Sequence, residues 1–123
     1  MRQVELWTDG SCLSNPGEGG WAFILLFGNA YLKETGYVEK TTNNRMELTA
    51  VIEGLRRLKE PCEVTLYSDS NYVIKPISEK WLDGWQKIDF AGKQNSDLWK
   101  EFLEISKMHK ITVVKVLGHS KIA

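Results

Sequence analysis

Val4, Leu6 and Thr8 alternate with Glu5, Trp7 and Asp9, the two-residue period of a strand with one face buried. A loop signal follows at once, since residues 12–20 contain Asn15-Pro16-Gly17 and Gly19-Gly20. Residues 21–27 and 31–38 are strand-like again, with Gly28-Asn29 between them suited to a tight hairpin turn. The period then lengthens. Leu48, Val51, Ile52, Leu55 and Leu58 recur at helical spacing behind the capping candidates Thr42, Asn43 and Asn44, and Pro61 is expected to end that helix. Residues 63–68 read as a short strand. Signals mix between 71 and 96, where short helices interrupted by Pro76 and Gly84 are expected before the Gly92-Lys93-Gln94-Asn95 loop. Leu98, Trp99, Phe102, Leu103 and Ile105 mark a helix starting near Asn95 or Ser96, and residues 111–117 a last β-branched strand.

This order predicts an α/β fold. Strands 1, 4 and 5 are separated by helices and can pair in parallel, while strands 1–3 are close enough for an antiparallel meander. The expected architecture is a mixed five-stranded sheet flanked by helices. At 123 residues the chain has room for one domain. No apolar run exceeds residues 21–27, too short to cross a membrane, and no basic-then-apolar segment opens the chain, so a cytoplasmic protein is expected. Cys12 and Cys62 have no C-x-x-C or metal-ligand spacing and read as small buried or half-buried thiols.

Three acids carry the candidate chemistry. Asp9 lies in Thr8-Asp9-Gly10-Ser11, Glu47 in Asn43-Asn44-Arg45-Met46-Glu47, and Asp69 in Ser68-Asp69-Ser70-Asn71. Leu6-Trp7-Thr8-Asp9 and Leu66-Tyr67-Ser68-Asp69 share a cadence, so neighbouring parallel strands would deliver both aspartates to one sheet edge. Clustered carboxylates repel and resist desolvation, and a hard cation relieves both costs. Bland alternatives stand beside this reading: Asp before Gly or Ser starts turns, and Asn44-x-x-Glu47 fits a capping box. Net charge is zero, with sixteen Lys plus Arg against sixteen Asp plus Glu, which speaks mildly against a nucleic-acid binder. A local patch can still make phosphate contacts.

The motifs together resemble type 1 ribonuclease H over essentially the whole chain. Asp9-Gly10-Ser11-Cys12 with Asn15-Pro16-Gly17 is similar to the family's first acid and following turn, and residues 41–48 to its first-helix signature. Ser68-Asp69-Ser70 resembles its third acid, and Gly118-His119 its histidine loop. The resemblance implies an endonuclease that hydrolyses the RNA strand of RNA–DNA hybrids by two-metal-ion catalysis, leaving 5′-phosphate and 3′-hydroxyl ends. It implies two Mg²⁺ ions, with Mn²⁺ as a substitute, held by Asp9, Gly10, Glu47 and Asp69. His119 would move a proton or help release product. Asn15, Asn43, Asn44 and Asn71 would touch sugars and base edges, and Thr42 and Asn95 a phosphate of the DNA strand. Trp81, Trp85 and Lys87 would grip the hybrid; capping, turns and packing are the alternatives for all of these. Between Lys75 and Lys100, five lysines face four acids, a thin margin that predicts a weak and salt-sensitive grip.

The family continues past the histidine loop into a helix with a fourth metal-site acid, whereas no Asp or Glu follows His119 here. The expectation is a single C-terminally truncated domain, a monomer; if the protein really ends here, weaker metal binding, slower cleavage and a less stable fold are expected. Leu117 also departs, standing where relatives often have a basic residue. A catalytically impaired hybrid-binding domain is the alternative. A nuclease or recombinase acting on duplex DNA is a third reading, against which residues 42–47 argue.

Overall fold

The computed structural model describes residues 1–117, so the expectation for His119 lies outside the described residues. Three strands open the fold, β1 (Arg2–Cys12), β2 (Gly17–Phe27) and β3 (Ala30–Thr41), followed by helix α1 (Asn43–Arg56). Strand β4 (Cys62–Ser68) leads to α2 (Asn71–Ser78), α3 (Trp81–Lys87) and α4 (Ser96–Ser106), and β5 (Lys110–Lys115) completes the sheet. Its order is β3-β2-β1-β4-β5. β1, β4 and β5 run parallel, while β1–β2 and β2–β3 are antiparallel, as the connection lengths require.

One face of the sheet buries Leu6, Phe23, Leu25, Val64 and Leu66 against Leu48, Val51, Ile52 and Leu55 of α1 and Trp99 and Phe102 of α4. Each such side chain contributes roughly 1.5–3 kcal/mol when fully withdrawn from water. On the other face Trp7 and Tyr67 stack, with ring centroids 4.0 Å apart. They are also cross-strand partners at the last rung of the β1–β4 ladder.

Several boundaries differ from the sequence reading, β3 among them, which runs to Thr41 rather than to residue 38. Gly17–Gly20 belong to β2, because Gly19 is there for close approach: a Cβ would fall 2.6 Å from Thr41 Cγ2 and 2.8 Å from Ser11 O. Helix α1 stops at Arg56, five residues short of Pro61. Arg57, whose guanidinium forks onto Glu34 of β3 at 2.8 and 2.6 Å, turns the chain there. Pro76 and Gly84 lie inside α2 and α3. The break between those helices falls instead at Lys80, whose φ of 59° is left-handed. Strand β5 ends at Lys115, two residues earlier than expected.

Candidate active site

Side chains two apart on a strand share a face. Trp7 and Tyr67 are partners, so Asp9 and Asp69, two residues beyond each, emerge together where the ladder ends. Glu47 arrives from α1. Gly10 permits that arrival, since a Cβ on it would lie 2.4 Å from Met46 C and 2.5 Å from Glu47 N. The first turns of α1 therefore rest directly on the β1 backbone. The Gly10 N–H donates to Asp9 Oδ1 at 2.9 Å and to Glu47 Oε1 at 3.1 Å. One oxygen from each of Asp9, Glu47 and Asp69 lies within 4.8 Å of the other two.

Glu47 is 8% exposed, and its Oε2 has no hydrogen-bond partner among the described residues. Burial, then the charges of Asp69 and Asp9, push its carboxyl up to about 8, against an opposing pull from the Gly10 N–H. An orphaned buried oxygen amid three hard-oxygen donors fits a divalent cation of the Mg²⁺ or Mn²⁺ kind. The capping-box alternative fails: Thr42 is the N-cap, its Oγ1 accepting from Arg45 N at 3.2 Å, while Glu47 faces β1.

The asparagines fall into distinct settings. Asn15 Oδ1 accepts from Asn43 N at 3.1 Å, and Asn43 Oδ1 from Cys12 N at 2.7 Å, lacing the β1–β2 connection to the start of α1. Asn44 is half-buried in the first turn. Asn71 opens α2, its Oδ1 accepting from Lys115 Nζ at 2.8 Å. Asn95 caps α4 in the left-handed region, donating to Tyr72 OH at 2.9 Å and accepting from Arg45 at 3.1 Å. Arg45 also forks onto Asp97 at 3.1 and 2.9 Å, which lowers the Asp97 pKa. Thr42 and Asn95 are thus joined through Arg45.

Trp81 and Trp85 belong to a separate aromatic group. Their rings are 6.2 Å apart, and Trp85 packs edge-on against Trp99 and Phe90 beneath Lys93 Nζ at 5.0 Å. Trp81 stays 43% exposed, and Lys87 is exposed in the last turn of α3. The sequence reading assigned no role to Arg45, Tyr72, Asp97 or Lys115. The first lay inside a motif, but the partners of all four come from distant segments.

A mixed sheet that brings three carboxylates to one edge defines a class of α/β proteins fitted to hard divalent cations. The RNase H family model matches residues 1–123. Ribonuclease H of Campylobacter jejuni strain 81-176 is 52% identical over 120 residues, covering 98% of this chain and 82% of that one. Ribonuclease H of Thermoanaerobacter sp. strain X514 is 55% identical over 122 residues, covering 95% and 79%. The crystal structure of LC9-RNase H1, a type 1 RNase H with the type 2 active-site motif, has a TM-score of 0.86 at 25% identity, covering 98% of this chain and 65% of that chain. LC11-RNase H1, solved in complex with an RNA/DNA hybrid, shares the fold at a TM-score of 0.64 and 19% identity, covering 91% and 85%. The chain belongs to the RNase H family, a family of nucleases.

Proposed function

We propose that the chain is an endonuclease that hydrolyses the RNA strand of RNA–DNA hybrids by two-metal-ion catalysis, leaving 5′-phosphate and 3′-hydroxyl ends. The observation that carries this reading is the convergence of Asp9, Glu47 and Asp69 within 4.8 Å around the unpartnered Glu47 Oε2. Family membership and the hybrid bound by the fold neighbour LC11-RNase H1 supply the substrate class.

Asp9, Gly10, Glu47 and Asp69 are the residues that would hold Mg²⁺. When bound, the ions would offset the negative charge of the scissile phosphate and lower the pKa of a water so that its deprotonated form can attack. The chain itself fixes the donors. Gly10 N–H orients one oxygen on each of Asp9 and Glu47, and Glu47 Oε2 has no hydrogen-bond partner among the described residues. Asn15, Asn43, Asn44 and Asn71 would read the 2′-hydroxyls of one strand and their absence on the other. Thr42 and Asn95 would meet a DNA-strand phosphate, and Trp81, Trp85 and Lys87 the flanking hybrid. His119 keeps the role of moving a proton or helping product leave.

Incubation with a labelled RNA–DNA hybrid and Mg²⁺ tests the reading. RNA-strand cleavage lost in Asp9→Asn is the expected result. Tight hybrid binding without any cutting would favour a catalytically impaired binding domain instead.

A further inference from the structure

Lys115 ends β5 at the same sheet edge as the carboxylates. Its register partner is Ser68, the residue before Asp69, and adjacent strands lie ~4.8 Å apart. Val116 N–H donates to Ser68 O at 3.0 Å, so β5 stays fastened to β4 at this rung. The lysine is exposed, and among the described residues no acid pairs with it. Its Nζ instead donates to Asn71 Oδ1 at 2.8 Å.

That bond sets the Asn71 amide. With Oδ1 turned to Lys115, the Nδ2 group presents its two donors away from the lysine. A cationic donor and an amide donor then stand side by side on exposed residues, next to Asp69. Both seek an acceptor, and the cation seeks a negative one.

We propose that Lys115 and Asn71 form a clamp for a backbone phosphate of the nucleic acid, making Lys115 a substrate-binding residue. This rests on the hybrid-cleaving reading, since it names what holds that substrate beside the carboxylates. Lys115 supplies the charge and fixes the asparagine; Asn71 supplies one of its two Nδ2 donors and keeps the other for the sugar contact proposed above. Neither takes part in bond breaking.

Equilibrium binding of a fluorescent RNA–DNA hybrid, measured across a salt series in an Asp9→Asn background that does not cut, tests the clamp. Losing one phosphate contact flattens the slope of log Kd against log salt by about 0.7–0.9, so binding weakens roughly threefold less over a fourfold rise in salt. Lys115→Gln should show that change and Lys115→Arg should keep the parental slope. Asn71→Ala should weaken binding while leaving the slope nearly unchanged. Lys110→Gln, a charge-matched change at the far end of β5, should leave both untouched. A parental slope in Lys115→Gln, or an equal flattening in Lys110→Gln, overturns the clamp while the hybrid reading stands. No hybrid binding by the parent overturns both.

Discussion

Glu47 is the residue on which the site's electrostatics turn. In the metal-free chain its carboxyl titrates at about 8 rather than the ordinary 4.5, because it is buried beside two other carboxylates. Between those values the folded protein holds a proton that the unfolded chain has released, so stability falls as pH rises. The contribution is complete below about 4.5 and gone above about 8, and at ~1.4 kcal/mol per unit it reaches several kcal/mol. Glu47→Gln removes the titration. In chelator, its melting temperature should exceed that of the unmodified chain at pH 8, and the gap should close towards pH 5. Identical pH profiles would exclude a buried, crowded Glu47.

Gly10 resists substitution as well, and the reason is backbone against backbone rather than a turn. Gly10→Ala puts a methyl group 2.4 Å from Met46 C, which α1 relieves only by moving. Such overpacking costs about 1–3 kcal/mol. Because Glu47 rides on α1, activity should fall with stability, read as a lowered urea midpoint together with a lowered kcat. Asp9→Asn is expected to leave the fold intact and cut the hydrolysis rate at least roughly a hundredfold, since even residues that merely support metal ligands are worth 10–100-fold.

Among elements, the tie between α1 and α4 is specific to the tertiary arrangement. Arg45, in the first turn of α1, bonds Asn95 and Asp97 at the start of α4, and Asn95 donates to Tyr72 OH, which also accepts from Trp99 Nε1. The ion pair is largely open to water, with side-chain exposures of 35% and 64%, so its own worth is about 1 kcal/mol or less. Arg45→Met should lower the urea midpoint slightly with m unchanged, and raise KM for the hybrid more than it lowers kcat. A kcat loss with KM unchanged would mean that the tie serves the carboxylates and not the α4 end.

At the scale of the whole molecule, the sheet delivers acids to one end and buries the apolar load on the face covered by α1 and α4. None of the described helices is long and apolar enough to cross a membrane. Divalent cations that bind the folded cluster and not the dispersed acids of the unfolded chain should raise the melting temperature by mass action. Binding needs a deprotonated Glu47, so the rise should be larger at pH 8 than at pH 6. A rise independent of pH would place the cations elsewhere.

Strand and helix identities were legible because they depend on periodicity, which is local: Val4, Leu6 and Thr8 state a strand whatever surrounds them. The parallel pairing of β1 with β4 followed from the helix between them, and Asp9 beside Asp69 followed from the shared cadence. Boundaries were less legible. Gly17–Gly20 look like loop residues, yet Gly19 sits in a strand because Thr41 and Ser11 crowd it, and neither is near in sequence. Pro76 and Gly84 break helices by local preference, yet both lie inside helices, Pro76 buried in α2 and Gly84 exposed in α3. The sequence by itself therefore determined the elements, their order and the three acids, since each is written in neighbouring residues. Only the tertiary structure decided that Glu47 bonds Gly10 rather than its own helix end, that Arg45 reaches Asn95, and that Lys115 meets Asn71. Those are meetings of segments 37, 50 and 44 residues apart, set by how the helices seat on the sheet, which no local pattern encodes.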